Sequence, residues 1–343
     1  MRSLYFLSVL ISSALALFFC GCGQDSSKNV LKTAPSIADP APDHIVAMVN
    51  NTPLTWADME KRASGYLKDD IENNHLIIPS NRLDEAKEYF RRKSIKAFVF
   101  KTIMMEEAAL QGIKLVEADR QEGLRSLAFS LKTRNWTTND FFKKGPLGEA
   151  MMRREFEDGM MIDKLLNINV RSKLKISDKE VADTIILIDQ TNALKRTQLE
   201  GIRKQLNEGA NFEDVARTVS ECPSAKKGGD LGEFARGKML KDLENAAFSQ
   251  EVGTIGPVIQ SRFGYHIVKV TAHSPAQKAT ASTPAVPETV RLSHILIKSI
   301  PVERKRITDS ILRTKYNTAV ENYYRGLKAK AKIECYLYND MSF

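Results

Sequence analysis

Residues 220–234 read SECPSAKKGGDLGEF and residues 262–270 read RFGYHIVKV. Between them lie RGKM (236–239), AAF (246–248), Gly253 and GPV (256–258), and GANFEDVA (209–216) precedes them all. Adjacent Gly228 and Gly229 allow a tight turn where a side chain would obstruct the backbone. Gly253 and Gly256 bracket another. Val258, Phe263, Ile267 and Val268 are expected at buried strand positions, with residues 266–270 forming a short apolar strand.

Taken in order, these fragments resemble the parvulin family of peptidyl-prolyl isomerases. The resemblance implies an FKBP-like α/β domain that works without a cofactor or metal. It also implies a site in which two histidines flank a Cys or Asp beneath a small apolar pocket for a proline ring. Cys222 falls on the Cys/Asp position and His266 on the second histidine. Met239, Leu243 and Phe263 fall on the pocket positions, and Ser261 lies near the family's hydroxyl position. Leu243 stands where Phe is more usual, which implies a looser pocket.

The first histidine is out of order. Parvulins open with a His-Ile-Leu-Val strand, and the expected place here, residues 182–188, carries Ile185 at that position. VRLSHILIK appears instead at 290–298, after the last strand. Two readings follow. In one, the module is circularly permuted: residues 178–206 form one long helix, strand 290–297 enters the sheet, and His294 comes to Cys222 and His266. The Ala/Thr/Ser/Pro-rich join of residues 272–289 is long enough for that return. In the other, 184–188 is a degenerate opening strand and 290–298 is the remnant of a second module. The first reading satisfies an isolated strand's backbone groups and puts Val181, Ile185 and Ile188 on one helical face. The second keeps Ile185 at the normal distance before Gly209.

Upstream, residues 45–49 form a short apolar strand, Asn50 and Asn51 a turn, and Leu54 a return, with Thr55 capping a helix from Trp56. This entry is similar to that of SurA-type and PrsA-type periplasmic chaperones. Residues 81–177 carry helical spacing through Ile95, Phe98, Ile103, Ala108 and Leu110, broken at 112–116. Met151, Met152, Met160 and Met161 either fill a bundle core or present an adaptable face to partners. Ser177 with Glu180 reads as a capping box. Residues 307–332 read as a final helix, followed by a short strand at 333–338. In the chaperone families that helix packs back on the N-terminal domain, and the same is expected here.

The opening residues carry Arg2, an apolar stretch from Leu4 to Phe19, and Cys20 and Cys22. That is the form of a signal peptide, and its end resembles a bacterial lipobox with Cys22 as the lipidated residue. Residues 24–43, with Pro35, Pro40 and Pro42, read as a flexible tether. Gly23 rather than Asp after Cys22 implies outer-membrane sorting.

The domain plan is then 1–21 signal peptide, 22–43 tether, 44–177 helical chaperone domain, 178–300 isomerase domain, and 301–343 C-terminal helix and tail. The fold class is α+β. With 343 residues, 43% hydrophobic and 27% charged, the chain can support real cores. Four cysteines are too few for a disulfide scaffold. A Cys222–Cys335 bridge would occupy the site and is not expected. No nucleotide loop, metal motif or Ser/His/Asp signature occurs. The net charge of +9 reads either as a solvated mixed-charge surface or as one that faces anionic lipid or acidic clients; nucleic acid is not an expected partner for an exported protein. The expected function is X-Pro isomerisation in unfolded exported proteins by a lipid-anchored envelope factor. A holdase that has lost turnover, and a lipoprotein scaffold in envelope assembly, are the competing classes.

Overall fold

The computed structural model describes residues 39–72, 75–279, 284–341 and 343. The signal peptide, Cys22 and most of the tether lie outside the described residues. The described residues divide into two compact units, one within 39–175 and 313–343 and the other within 176–312.

The first unit begins with strands β1 (Ile45–Val49) and β2 (Thr52–Thr55), paired antiparallel around Asn50, whose φ is positive. Helix α1 (Trp56–Glu72) follows, its Asp58 N–H donating to Thr55 Oγ1 at 3.3 Å. Helices α2 (Leu83–Leu110), α3 (Glu117–Leu131), α4 (Thr138–Lys144) and α5 (Glu149–Asn169) complete the bundle. One core joins β1, α1, α2 and α5 through Val46, Met59, Ile95, Met104 and Leu165. A second gathers Leu127, Phe141, Phe142, Phe156 and Met160. Met152 and Met160 are therefore core residues. Leu110 is 83% exposed, contrary to its expected core place, because α2 ends there and Gly112 turns the chain away with φ +66°.

The second unit opens with α6 (Asp178–Asn207), a single helix started by a Ser177/Glu180 capping box. Val181 is buried, with Ile185 and Ile188 half-buried on the same side. Residues 184–188 are thus helix and not an opening strand. After α7 (Phe212–Val219) and a 3-10 turn at Pro223–Lys227 come β3 (Asp230–Ala235), α8 (Lys241–Ser249), β4 (Ile259–Ser261), β5 (Gly264–Ser274) and β6 (Thr289–Lys298). The four strands form an antiparallel sheet in the order β3-β6-β5-β4. The last strand in sequence is thus an interior strand.

Side chains alternate across this sheet. Tyr265, Ile267, Ile295 and Ile297 pack against α6 and α7 through Leu199, Leu206 and Phe212. Val268, Val270, Val290 and Leu292 face the other way, onto Leu243, Ala247 and Phe248 of α8.

Helix α9 (Arg304–Lys328) starts in the second unit, where Ile307 is buried. It continues into the first, where Tyr316, Val320 and Tyr324 join the core of β1 and α2. Its bounds differ from the 307–332 expected from spacing. Arg304 to Arg306 add a polar first turn that apolar periodicity does not register. At the other end the helix stops at Lys328; Asn50 N–H then donates to the Lys332 carbonyl at 2.7 Å and Asn50 Oδ1 accepts the Lys332 N–H at 2.8 Å, just before β7 (Ile333–Cys335) pairs with β1.

Candidate functional site

The register of β5 and β6 sets Val268 opposite His294 and Leu296 opposite His266. Two positions offset on one face are diagonal neighbours, close enough for rings to meet. His266 and His294 are 1% and 5% exposed, and their Nδ1 atoms lie 3.3 Å apart. The rings stack at 5.4 Å between centroids and 30° between planes.

Ser261, at the end of β4, anchors the other side. Its Oγ lies 2.7 Å from His266 Nε2 and accepts the Phe263 N–H at 3.1 Å. His294 Nε2 is buried and has no hydrogen-bond partner among the described residues.

Two proton arrangements satisfy the pair. In one, Ser261 O–H donates to His266 Nε2, His266 Nδ1–H donates to His294 Nδ1, and His294 Nε2–H is left as a donor. In the other every direction reverses, Ser261 accepts from both Phe263 and His266, and its own proton finds no use in the pair. The two use equal numbers of donors; the first leaves a spare N–H on His294 Nε2 and the second a spare O–H on Ser261. Both leave the rings neutral.

Burial is the main reason that both histidines are pushed down to about 4, with His294 as a like charge adding to the effect on His266. An unfolded histidine titrates near 6.5. As pH falls through 6.5 the unfolded chain binds protons that the folded pair refuses. Stability from this pair is therefore full above about 6.5 and is lost as pH falls toward about 4. Melting midpoints are expected to drop across that window, with a shallower drop in a His266→Gln, His294→Gln double variant. Equal slopes in the two proteins would contradict a neutral buried pair.

Cys222 sits just before the 3-10 turn, half-buried, as a free thiol. Strand β3 pairs with β6 only as far as Ser293. Beyond that point residues 220–229 take over the same side of β6. Glu221 N–H donates to Leu296 O at 2.8 Å, Leu296 N–H to Ser220 Oγ at 3.1 Å, and His294 N–H to Gly229 O at 3.0 Å. Gly229 makes this approach possible: its φ is +84°, and a Cβ there would lie 2.5 Å from His294 O. The Cys222 segment is thus bonded to the strand that carries His294. Ser220 and Glu221 were not legible as anchors, since nothing in their spacing marks them. The adjoining hydroxyl and carboxylate just before Cys222 were the available signal.

The three proposed pocket residues stand apart in character. Leu243 is buried in the α8 cluster, and Met239 packs half-buried against that cluster. Phe263 is 50% exposed, not buried as its apolar neighbours suggested. It lies in the turn between β4 and β5 rather than in a strand, with Arg262 stacked on its ring at 4.9 Å. Among the described residues no three His, Cys, Asp or Glu side chains gather as a metal site.

A profile described as Rotamase, PPIC-type PPIASE domain, matches residues 185–272. His294 and β6 lie beyond that span. Peptidyl-prolyl cis-trans isomerase Pin1 of Arabidopsis thaliana is 45% identical over 102 residues, 29% of this chain and 85% of the relative. Foldase protein PrsA of Exiguobacterium sibiricum is 36% identical over 179 residues, 49% of this chain and 57% of the relative. Chaperone SurA of Burkholderia lata is 25% identical over 328 residues, 87% of this chain and 69% of the relative. The match thus spans little more than half the length of the PrsA relative.

Proposed function

We propose, from the premise that this chain belongs to the PPIC-type peptidyl-prolyl isomerase family, that it isomerises X-Pro bonds in unfolded exported proteins and acts as their folding chaperone. The observation that carries the reading is the buried, neutral His266–His294 pair held by Ser261 beside the Cys222 segment.

An X-Pro amide crosses a barrier of about 18–20 kcal/mol by twisting out of plane, and uncatalysed exchange takes tens to hundreds of seconds. No bond is broken, so catalysis consists of favouring the twisted form. Met239 and Leu243, with Phe263 at the rim, would hold the proline ring and exclude water. Twisting ends amide resonance and leaves a lone pair on the prolyl nitrogen. Fixed polar groups, His294 Nε2 and the Cys222 thiol, would meet the changed charge without reorganising. Cys222 acts electrostatically and forms no covalent intermediate. Each tenfold acceleration requires about 1.4 kcal/mol of such preference.

The placement of β6 in the sheet supports a circularly permuted parvulin, its opening strand supplied from the C-terminal side. The apolar stretch before Cys22 supports a lipid-anchored envelope protein, most simply on the periplasmic face of the outer membrane. Loss of membrane association in a Cys22→Ser chain would be the check. Among the described residues no helix is long and apolar enough to cross a membrane.

The test is cis/trans exchange on a panel of X-Pro peptides. Wild type is expected to accelerate exchange, Cys222→Asp to retain most of that rate, and Cys222→Ala to lose most of it. Equal rates in the two variants would remove the electrostatic role. No acceleration by wild type on any peptide would replace the isomerase with a holdase.

A further inference from the structure

Helix α8 carries a carboxylate on its packed side. Glu244 is 4% exposed, and Ala247 and Phe248, its neighbours one turn on, are buried as well. A place in the first turn of a helix suits a negative charge but does not require burying it. A buried carboxylate is costly unless its charge is met. Lys241 Nζ lies 3.2 Å from one oxygen, but its side chain is 77% exposed, and such a pairing contributes little. The other oxygen accepts the backbone N–H of Gly237, seven residues back along the chain. That bond, and Lys241 after it, hold the carboxyl below the usual range. The group is therefore ionised at neutral pH and the bond to Gly237 is charge-assisted.

Gly237 belongs to the link, residues 236–240, that joins β3 to α8. Met239 and Leu240 of this link pack half-buried against the α8 cluster. Arg236, at its start, is fixed by its own contacts. It donates to Glu288 at 2.6 Å and lies over the Phe248 ring at 4.1 Å. The Gly237–Glu244 bond ties the link back onto the helix that follows it, with Met239 inside the closed loop.

We propose that Glu244 is a positioning residue, fixing the 236–240 link on α8 so that Met239 stands as a set wall of the proline pocket. The inference rests on the isomerase reading, which gives Met239 its contact with substrate; Glu244 acts through Met239 and not on the substrate. A wall that holds the proline ring grips the planar and the twisted amide alike. Its loss is a loss of uniform binding, which raises KM and leaves kcat in place. General damage to the fold would do the reverse: it would lower the active fraction, and the apparent kcat with it, at an unchanged KM.

The experiment uses the full chain with 13C-labelled methionine methyls, the Met239 signal being assigned by its loss in Met239→Leu. X-Pro exchange and methyl spectra are measured on wild type, Glu244→Ala, Glu244→Leu and Glu244→Gln. Glu244→Ala is expected to raise KM about tenfold with kcat within about twofold of wild type, and to move the Met239 methyl toward the position of an exposed methionine. Glu244→Leu fills the buried space without an acceptor and should behave as Glu244→Ala does; it replaces that variant should Glu244→Ala not fold. Glu244→Gln keeps an oxygen for Gly237 N–H and should restore both readouts most of the way. A wild-type KM in the folded Ala or Leu variant, or an unmoved Met239 methyl, would overturn the proposal. A Gln variant as impaired as Ala would overturn the hydrogen-bond tie. The methyl readout needs no turnover, so the two readings separate. No wild-type acceleration, with a Met239 methyl that shifts in Glu244→Ala, would strike the isomerase alone. Wild-type acceleration with an unmoved KM in the variants would strike this inference alone.

Discussion

His294→Ala is expected to slow catalysed X-Pro exchange by about 100-fold, with little change in peptide affinity. The magnitude follows from removing one preorganised donor in a site shielded from water. The sign of the split follows from where that donor acts. His294 Nε2 is buried and without a partner among the described residues, so in the arrangement that puts the spare N–H there the proposed mechanism reserves it for the twisted amide. Removing a group used only in the transition state lowers kcat and kcat/KM together and leaves ground-state binding alone. The variant also strips His266 Nδ1 of its partner 3.3 Å away, so His266 is free to reorient about Ser261. His294→Gln, which restores an N–H donor of lower reach, should recover part of the rate. An exchange rate within about twofold of wild type in His294→Ala would show that β6 contributes framework only.

The second large effect concerns stability. Gly264→Ala is expected to destabilise the sheet-bearing unit by about 3–4 kcal/mol. Gly264 opens β5 with φ +142°, a conformation that side chains avoid. A Cβ there would also press on Ile297 O and lie 2.6 Å from Ser299 N and 2.7 Å from Lys298 Cα. All three are backbone atoms of an interior strand and its continuation, so no rotamer change relieves the clash. Strained φ and overpacking each contribute about 1–3 kcal/mol. For a unit of this size the melting midpoint should fall by roughly 10 °C. Denaturant titration of the full chain would check it. A loss below about 1 kcal/mol would mean that the turn before β5 shifts to make room.

Local rules account for much of what could be read in advance. Ser177 and Glu180 mark a helix start because both partners of the capping box lie within four residues. Thr137 and Asp140 close the same kind of box on α4 with a weaker sequence signal, since Asp stands in place of Glu. The VRLSHILIK segment announced a strand by composition alone. Its register against β5, shifted by an irregularity between Val270 and Ala272, could not be read, and that register is what sets His294 diagonal to His266. Phe263 was misplaced because apolar character marks a buried strand and a pocket rim equally. Arg62 and Glu155, which pair at 2.6 Å, are illegible for a different reason. They come from two helices, and no spacing within one segment brings them together.

The interior position of β6 has a consequence for the order of assembly. Strands β3 and β5 are both synthesised before it, and each owes one edge to it. Until residue 298 has emerged, those edges are bare templates for pairing with another chain, and the two histidines belong to separate pieces. The contacts that close the sheet also span long stretches of chain, as from Asp230 to Ser293 and from Ser220 to Leu296, which makes closure slow relative to local helix formation. A chain interrupted before residue 289 would thus carry its own aggregation hazard and no assembled site. The two histidines meet only once the strand that carries the second has been made and has entered between its neighbours.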